Sequence, residues 1–194
     1  MMLDTPPLGF YIIPDTGAEV PTFATDGSAC FDICARFHHD PANSEGDWTA
    51  YKPVVAYGPQ NVRMELHPTH GVLDVPAGWR FLIPTGLILD IPQGYSVRLH
   101  ARSGLALKQG LVLANAEGVI DSDYTDELKI MVTAISSCIV SVPNGSRICQ
   151  GELVRNQPVS LARIDHPPMQ KTQRDGGFGS TGQFSWDANP GAQP

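Results

Sequence analysis

Five short stretches of this sequence gather residue types that handle phosphate esters. In Gly27-Ser28-Ala29-Cys30-Phe31-Asp32-Ile33-Cys34-Ala35 a carboxylate, Asp32, interrupts an apolar run. Two-residue alternation puts Asp32 on one face with Cys30 and Cys34, opposite Phe31 and Ile33, so by itself it could simply face solvent. Next, Ala101-Arg102-Ser103-Gly104-Leu105-Ala106 sets a guanidinium, a hydroxyl and a glycine where a strand gives way to a short helix. Arg102 offers a planar fork for an anion, and backbone N–H groups at such a junction suit phosphate oxygens. Ser103 can donate to an ester oxygen or cap the helix, the commoner use of a serine there. The third stretch, 115–127, is polar and turn-prone and reads as a hairpin or loop exposing Asp121, Asp123 and Tyr124. Asp121 could orient a water as a general base while Tyr124 packs on a sugar ring. The spacing of Asp121 and Asp123 also suits the first ligands of a calcium loop, but the glycine and later glutamate of that loop are missing. The fourth is Gly145-Ser146-Arg147-Ile148-Cys149-Gln150 and the fifth is Arg174-Asp175-Gly176-Gly177-Phe178-Gly179-Ser180-Thr181-Gly182. Glycines in the fifth let N–H groups approach an anion, yet it lacks the Gly-Lys-Ser/Thr ending and following helix of a P-loop, which excludes an ATPase of that type.

In this order and at these intervals, the stretches resemble the five motifs of the trimeric dUTP pyrophosphatases, the deoxyuridine triphosphate nucleotidohydrolases. The match begins at Val20-Pro21-Thr22-Phe23-Ala24-Thr25 and runs to Ala35. It resumes at Ile83-Pro84-Thr85-Gly86-Leu87, is nearly continuous to Val154, and returns in the tail. The resemblance implies Mg2+-dependent hydrolysis of dUTP to dUMP and pyrophosphate, which limits uracil in DNA and supplies dUMP for thymidylate synthesis. It also implies an all-β, distorted jelly-roll or β-clip barrel that assembles as a homotrimer, with sites shared between subunits and a mobile C-terminal arm.

Position by position, the resemblance implies that Asp121 activates the water that attacks the α-phosphorus. Asn115 and the hairpin backbone at Gly118, Val119 and Ile120 would read the uracil edge, while Tyr124 would pack on deoxyribose and exclude a 2′-hydroxyl. Arg102, Ser103, Gly104 and Gln150 would contact the triphosphate, and Arg174, Phe178, Gly179 and Ser180 would close over the nucleotide from a neighbouring subunit's tail. Asp32 is implied either to contact the hydrated magnesium or to support Arg102. Magnesium would be held mainly by phosphate oxygens and water, so no carboxylate cage is expected. Two positions depart from the family pattern. Asp126 stands where a glycine is usual, and Arg174 lies one residue nearer the phenylalanine than the family's arginine, which makes Lys171 a second candidate for that clamp.

The elements that must position these groups are mostly strands. Short apolar, often β-branched runs at 9–13, 29–35, 80–84, 86–91, 96–101, 111–113, 127–134, 138–142 and 150–154 end near Gly, Pro, Asn or Asp. Only 103–109 has helical composition, with Gly110 as a C-terminal stop. Many strands with almost no helix predict antiparallel pairs in a sandwich or barrel. Residues 36–78, aperiodic and rich in His, Pro and aromatics, read as a long insertion leaving the core, with 61–67 as a candidate strand inside it. The expected organisation is a β domain over 1–165 and a flexible arm over 166–194 that carries the glycine-rich motif.

At 194 residues and 42% apolar content the chain can bury one core. Thirteen basic against twenty acidic residues give a net charge of −7, which disfavours a protein that holds nucleic acid by neutralising its phosphates, and no nucleic-acid partner is expected. No window approaches the ~20 apolar residues of a membrane span, and residues 1–10 lack a basic region followed by a long apolar stretch; a cytoplasmic location is expected. Cys30, Cys34, Cys138 and Cys149 are expected to be free thiols. Cys30 and Cys34 followed by His38 and His39 invite a zinc reading, although the spacing fits no common structural site and small buried cysteines are the simpler alternative. Among other functions stand a dCTP deaminase or dCTP pyrophosphatase of the same fold, of which the deaminase would need a further catalytic carboxylate after the third stretch, where Glu127 stands. A trimeric regulatory protein would use the 36–78 insertion, with Trp48, Tyr51 and Tyr57, to hold a protein partner.

Overall fold

The structure, a computed structural model, describes residues 6–39 and 51–172. Its strands are numbered along the chain. Strand β1 (Gly9–Ile12) pairs with β7 (Leu87–Asp90), and β12 (Val140–Pro143) pairs with β5 (Val72–Val75). A four-stranded sheet runs in the order β10 (Gly118–Ile120), β8 (Tyr95–Ala101), β13 (Arg147–Arg155), β2 (Phe31–Cys34). A five-stranded sheet runs β4 (Arg63–Leu66), β3 (Val54–Tyr57), β6 (Arg80–Pro84), β11 (Lys129–Ala134), β9 (Leu111–Leu113). All of these pairings are antiparallel.

Period-two alternation builds the core. Phe31 and Ile33 of β2, Phe81 and Ile83 of β6, Val97 and Leu99 of β8, and Ile130 and Val132 of β11 are buried. Each such side chain is worth roughly 1.5–3 kcal/mol on leaving water. The one helix among the described residues, α1 (Ser103–Gln109), ends where Gly110 takes a left-handed φ of 73° and donates its N–H to the carbonyls of Ala106 and Leu105. A Cβ at Gly110 would also stand 3.0 Å from the backbone nitrogen of Ser136, so the position admits only glycine without adjustment.

The structure corrects the sequence reading at three places. Ser103 is not the helix cap: Arg102 occupies that position, and no side chain makes a capping hydrogen bond. Residues 36–78 are not an insertion leaving the core, because Phe37, Val54, Ala56, Leu73 and Val75 are all buried and β3 is hydrogen-bonded into the five-stranded sheet beside β6. Pro53, Pro68 and Pro76 flank these four-residue strands and hide them among turn signals. The chain departs at His39 and returns beside it at Tyr51, paired by a β-bridge, with Lys52 N–H donating to the His38 carbonyl at 2.8 Å. Part of the third stretch, read as hairpin or loop, is the regular strand β10, paired with β8.

The first compact unit ends at Pro158. In the second, the described residues 159–172 contain no strand or helix, and Val159, Leu161, Ile164 and Met169 are exposed. Among the described residues no helix is long and apolar enough to cross a membrane.

Candidate active site

One cluster forms where β2, β13 and the end of β8 meet. Register places Gln150 of β13 opposite both Asp32 of β2 and His100 of β8, while Arg102 follows Ala101 at the end of β8. A register shift between Arg147 and Cys149, of the kind that re-aims side chains, brings Arg147 to the same carboxylate. Asp32 Oδ1 accepts from Arg102 Nε at 3.0 Å and from Gln150 Nε2 at 3.3 Å, and Asp32 Oδ2 accepts from Arg147 Nη1 at 3.0 Å. Arg102 Nη1 donates in addition to the Arg147 carbonyl at 3.1 Å. The Asp32 side chain is only 11% exposed, so it does not simply face solvent; of the two roles left open for it, support of Arg102 is the contact present.

Beside this network lies a cleft of about 160 Å³, lined by Thr22, Asp32, Cys34, Arg36, Thr85 and Arg147 among others. The Nε of Arg36 is buried there without a hydrogen-bond partner. Arg36, Arg102 and Arg147 set against Asp32 and the exposed Glu19 of the cleft leave a modest cationic surplus, as an anion requires. Arg36 and Arg147 carry this surplus without having been assigned a role from sequence. The signal for Arg147 was its place three residues before Gln150 in the fourth stretch. Gly104, at the first turn of α1, is exposed and a Cβ there would meet nothing of this chain.

The third stretch forms a separate cluster. Gly118 pairs with Leu99, Val119 with Arg98 and Ile120 with Val97. A Cβ at Gly118 would lie 2.8 Å from the Leu99 side chain, so this glycine lets β10 approach β8 closely. Asn115 and Asp121 are exposed. Beyond Asp121 the chain turns, with Tyr124 N–H donating to the Asp121 carbonyl at 3.2 Å and Tyr124 Oη–H donating to the Glu127 carbonyl at 3.0 Å. Burial, then the charges of Asp126 and Glu127, push the Tyr124 phenol above its ordinary range. Asp126 is not among the residues of positive φ, so the turn forms without the usual glycine.

Glu127 is committed to structure. It accepts from Gly86 N–H at 2.9 Å and lies 2.9 Å from His38 Nε2. Burial by itself would raise its carboxyl, but these hydrogen bonds, with the charges of His38 and Lys129, hold it below the ordinary carboxylate range. His38 is therefore engaged away from Cys30 and Cys34, and the His39 ring packs edge-on to Tyr51, so the zinc grouping read from sequence does not assemble. All four cysteines are free thiols. Burial pushes Cys149 up to about 12.

The two clusters stand apart. From Val97, which pairs with the residue before Asp121, to Arg102 is five residues of β8, or about 17 Å at ~3.3 Å per residue. Asp121 and the Arg102–Asp32 pair of one chain thus lie at opposite ends of the strand. Lys171 is exposed, whereas Arg174, Phe178, Gly179 and Ser180 lie outside the described residues.

Residues 72–182 match the dUTPase family model. A deoxyuridine 5′-triphosphate nucleotidohydrolase of Brucella melitensis is 44% identical over 138 residues, covering 70% of this chain and 85% of the relative. That of Fusobacterium nucleatum is 29% identical over 173 residues, covering 89% and 95%. Among solved structures, a mutant dUTPase of Staphylococcus bacteriophage 80alpha with dUpNHpp superposes with a TM-score of 0.64 at 18% identity, covering 92% of this chain and 99% of that one. A Streptococcus mutans dUTPase gives 0.55 at 24% identity, covering 79% and 99%. The all-β pairing described above is accordingly the jelly-roll-like β-clip fold of those enzymes, and with a family model spanning more than half its length and a relative matched over most of its own, the chain belongs to the dUTPase family.

Proposed function

We propose that this protein hydrolyses dUTP to dUMP and pyrophosphate in sites built by more than one copy of the chain. The observation that carries the shared site is the separation along β8. A base that holds the attacking water must sit within hydrogen-bond reach of it, and donors to the phosphates must sit about 3 Å from their oxygens. Groups about 17 Å apart on one strand do not meet these demands around one α-phosphorus. Asp121 of one copy facing Arg102 of another does, and a closed ring of three copies repeats that contact three times.

In this reading Asp121 accepts a proton from the water as it adds to the α-phosphorus, and pyrophosphate leaves in line. Asn115 and the backbone of Gly118, Val119 and Ile120 read the uracil edge, and Tyr124, held by its bond to the Glu127 carbonyl, forms the sugar platform. Arg102, Ser103, Gly104 and Gln150 bind the triphosphate. Asp32 is a positioning residue that fixes the planes of Arg102 and Arg147. Arg174 or Lys171, with Phe178, Gly179 and Ser180, would complete the site from the tail.

Magnesium fits the donors present. Asp32 is already committed to two arginines, so triphosphate oxygens and water would hold the ion, with Asp32 reaching it only through water. When bound it would neutralise charge building on the phosphates. A structure of the phage phi11 dUTPase of S. aureus describes a structural Mg(II) ion in that protein.

Glu127 argues against a deaminase, because both its partners are structural. For a partner-binding role of 36–78, Trp48 lies outside the described residues, and deleting the whole stretch would remove β3 and β5 from the core. A deletion confined to 40–50 is the variant that tests it.

Release of pyrophosphate and ammonia from dUTP, dCTP, dTTP and UTP tests the activity. Pyrophosphate from dUTP is expected, and ammonia from dCTP or intact dUTP would overturn it. Mixing tests the shared site. Co-refolded Asp121→Asn and Arg102→Ala chains, each inert alone, should recover about a quarter of wild-type turnover, because a quarter of randomly assembled sites draw both groups from intact donors. No recovery would place both groups in one chain.

A further inference from the structure

The face of the four-stranded sheet that carries Asp32 and Gln150 also carries donors that the nucleotide site does not use. Gly151 of β13 pairs with Phe31 of β2, so Glu152 comes level with Cys30, while His100 of β8 pairs with Gln150 and is a diagonal neighbour of Glu152. The Cys30 sulfur, a His100 ring nitrogen and a Glu152 carboxylate oxygen all lie within 4.8 Å of one another. His100 Nε2 stands 3.4 Å from Glu152 Oε2. All three residues are partly exposed, so an ion could reach them from solvent.

We propose that Cys30, His100 and Glu152 bind a borderline-soft divalent transition metal of the Zn2+ type, at a site separate from the magnesium that accompanies the nucleotide. One sulfur, one imidazole nitrogen and one carboxylate oxygen form a mixed set that a hard, oxygen-seeking ion such as Mg2+ does not favour and that zinc takes readily. Tetrahedral bonds of 2.0–2.3 Å place neighbouring ligand atoms about 3.3–3.8 Å apart. Closing the observed spread to that range needs about 1 Å of movement, which side-chain torsions supply while the strands stay still. Three ligands leave a fourth position for water.

Binding converts the Cys30 thiol to a thiolate joined to the metal and releases its proton to solvent, so affinity rises with pH. Burial and then the charges of Glu152 and Asp32 push the Cys30 thiol above its ordinary range, and a dication placed among the three reverses that electrostatic cost. The other charged groups near this face are Arg102 and Arg147, both tied to Asp32, and Arg98, which lies 3.6 Å from Glu117 and so directs part of its charge away from Glu152. Of the Cys30, Cys34, His38 and His39 grouping suggested by sequence, only Cys30 takes part.

Cobalt titration of the full chain after chelator treatment tests this. Expected are one Co2+ per chain, visible bands of tetrahedral cobalt and a near-ultraviolet thiolate-to-cobalt band, all bleached by one equivalent of Zn2+ and unmoved by excess Mg2+. Cys30→Ser should abolish the thiolate band, and His100→Ala and Glu152→Gln should each weaken binding at least about tenfold. Cys34→Ser and His38→Ala should leave the spectrum unchanged. Absence of the thiolate band in the wild-type chain, its survival in Cys30→Ser, or its loss in Cys34→Ser would overturn the proposal. None of these readings uses dUTP turnover, so failure here leaves the assigned activity untouched.

Discussion

The two ends of β8 are built differently. At the Arg102 end, a carboxylate that is 11% exposed accepts from two arginines and a glutamine. At the Val97 end, the hairpin offers an exposed Asp121 on a turn held chiefly by backbone bonds and by Tyr124. One end is a cluster of guanidinium donors gathered on a shared carboxylate. The other, on the function proposed above, would supply the base to a phosphate held by a different copy of the chain. A polyanion requires preorganised donors, whereas a water-holding carboxylate requires access, and on the proposed function these demands fall at opposite ends of one strand.

The contrast can be broken most sharply at Asp121. Asp121→Asn should lower turnover by about 10²–10⁴-fold while leaving dUTP affinity, assembly and melting temperature near wild type, since it removes the base and keeps the shape. Steady-state kinetics beside calorimetry check this, and retained turnover would contradict the role. Truncation before Lys171 should cost roughly tenfold or more in kcat with no change in unfolding, because the described residues of that segment contribute nothing to the core. An unchanged rate would show that the tail closes over nothing.

At the Arg102 end, Asp32→Asn should act on binding more than on chemistry. KM is expected to rise by about tenfold with a smaller change in kcat, as Arg102 and Arg147 lose their common acceptor. A fall in kcat alone would instead give Asp32 a direct part in the reaction.

The smallest effect is expected at Glu127, which ties the end of the hairpin loop to Gly86 and His38. Because its carboxyl titrates lower in the folded chain than the ordinary 4.5, its stabilisation is complete above that value and is lost as pH falls through the folded pKa. Glu127→Gln should therefore cost about 1–2 kcal/mol near neutrality, with the gap to wild type narrowing in acid. Denaturant unfolding across pH 3–7 would show it, and a constant gap would refute it.

Much of this was readable in advance. The strands around 80–84, 96–101 and 111–113, the helix over 103–109 and its glycine stop follow from alternation and from one left-handed position, which are local properties. The Asp32, Arg102 and Gln150 cluster follows from stretches that the family resemblance singles out, whereas polarity alone leaves Asp32 readable as a solvent-facing residue. What escaped was non-local. β3 and β5 are four residues long and acquire meaning only through β6 and β12. Arg36 becomes a functional candidate only when the cleft forms around it. Glu127 reads as a free acid until His38, 89 residues away, is placed against it.

The separation of the two clusters along β8, with the shared site proposed from it, has a consequence for how the enzyme would be measured. Specific activity should not be constant on dilution: below the assembly constant each added chain yields less than its share of product, and rate should climb steeper than first order in protein. Storage at high concentration followed by assay at trace concentration would then register a lag or decay that reflects disassembly, and a tethered single-chain triplet should show neither.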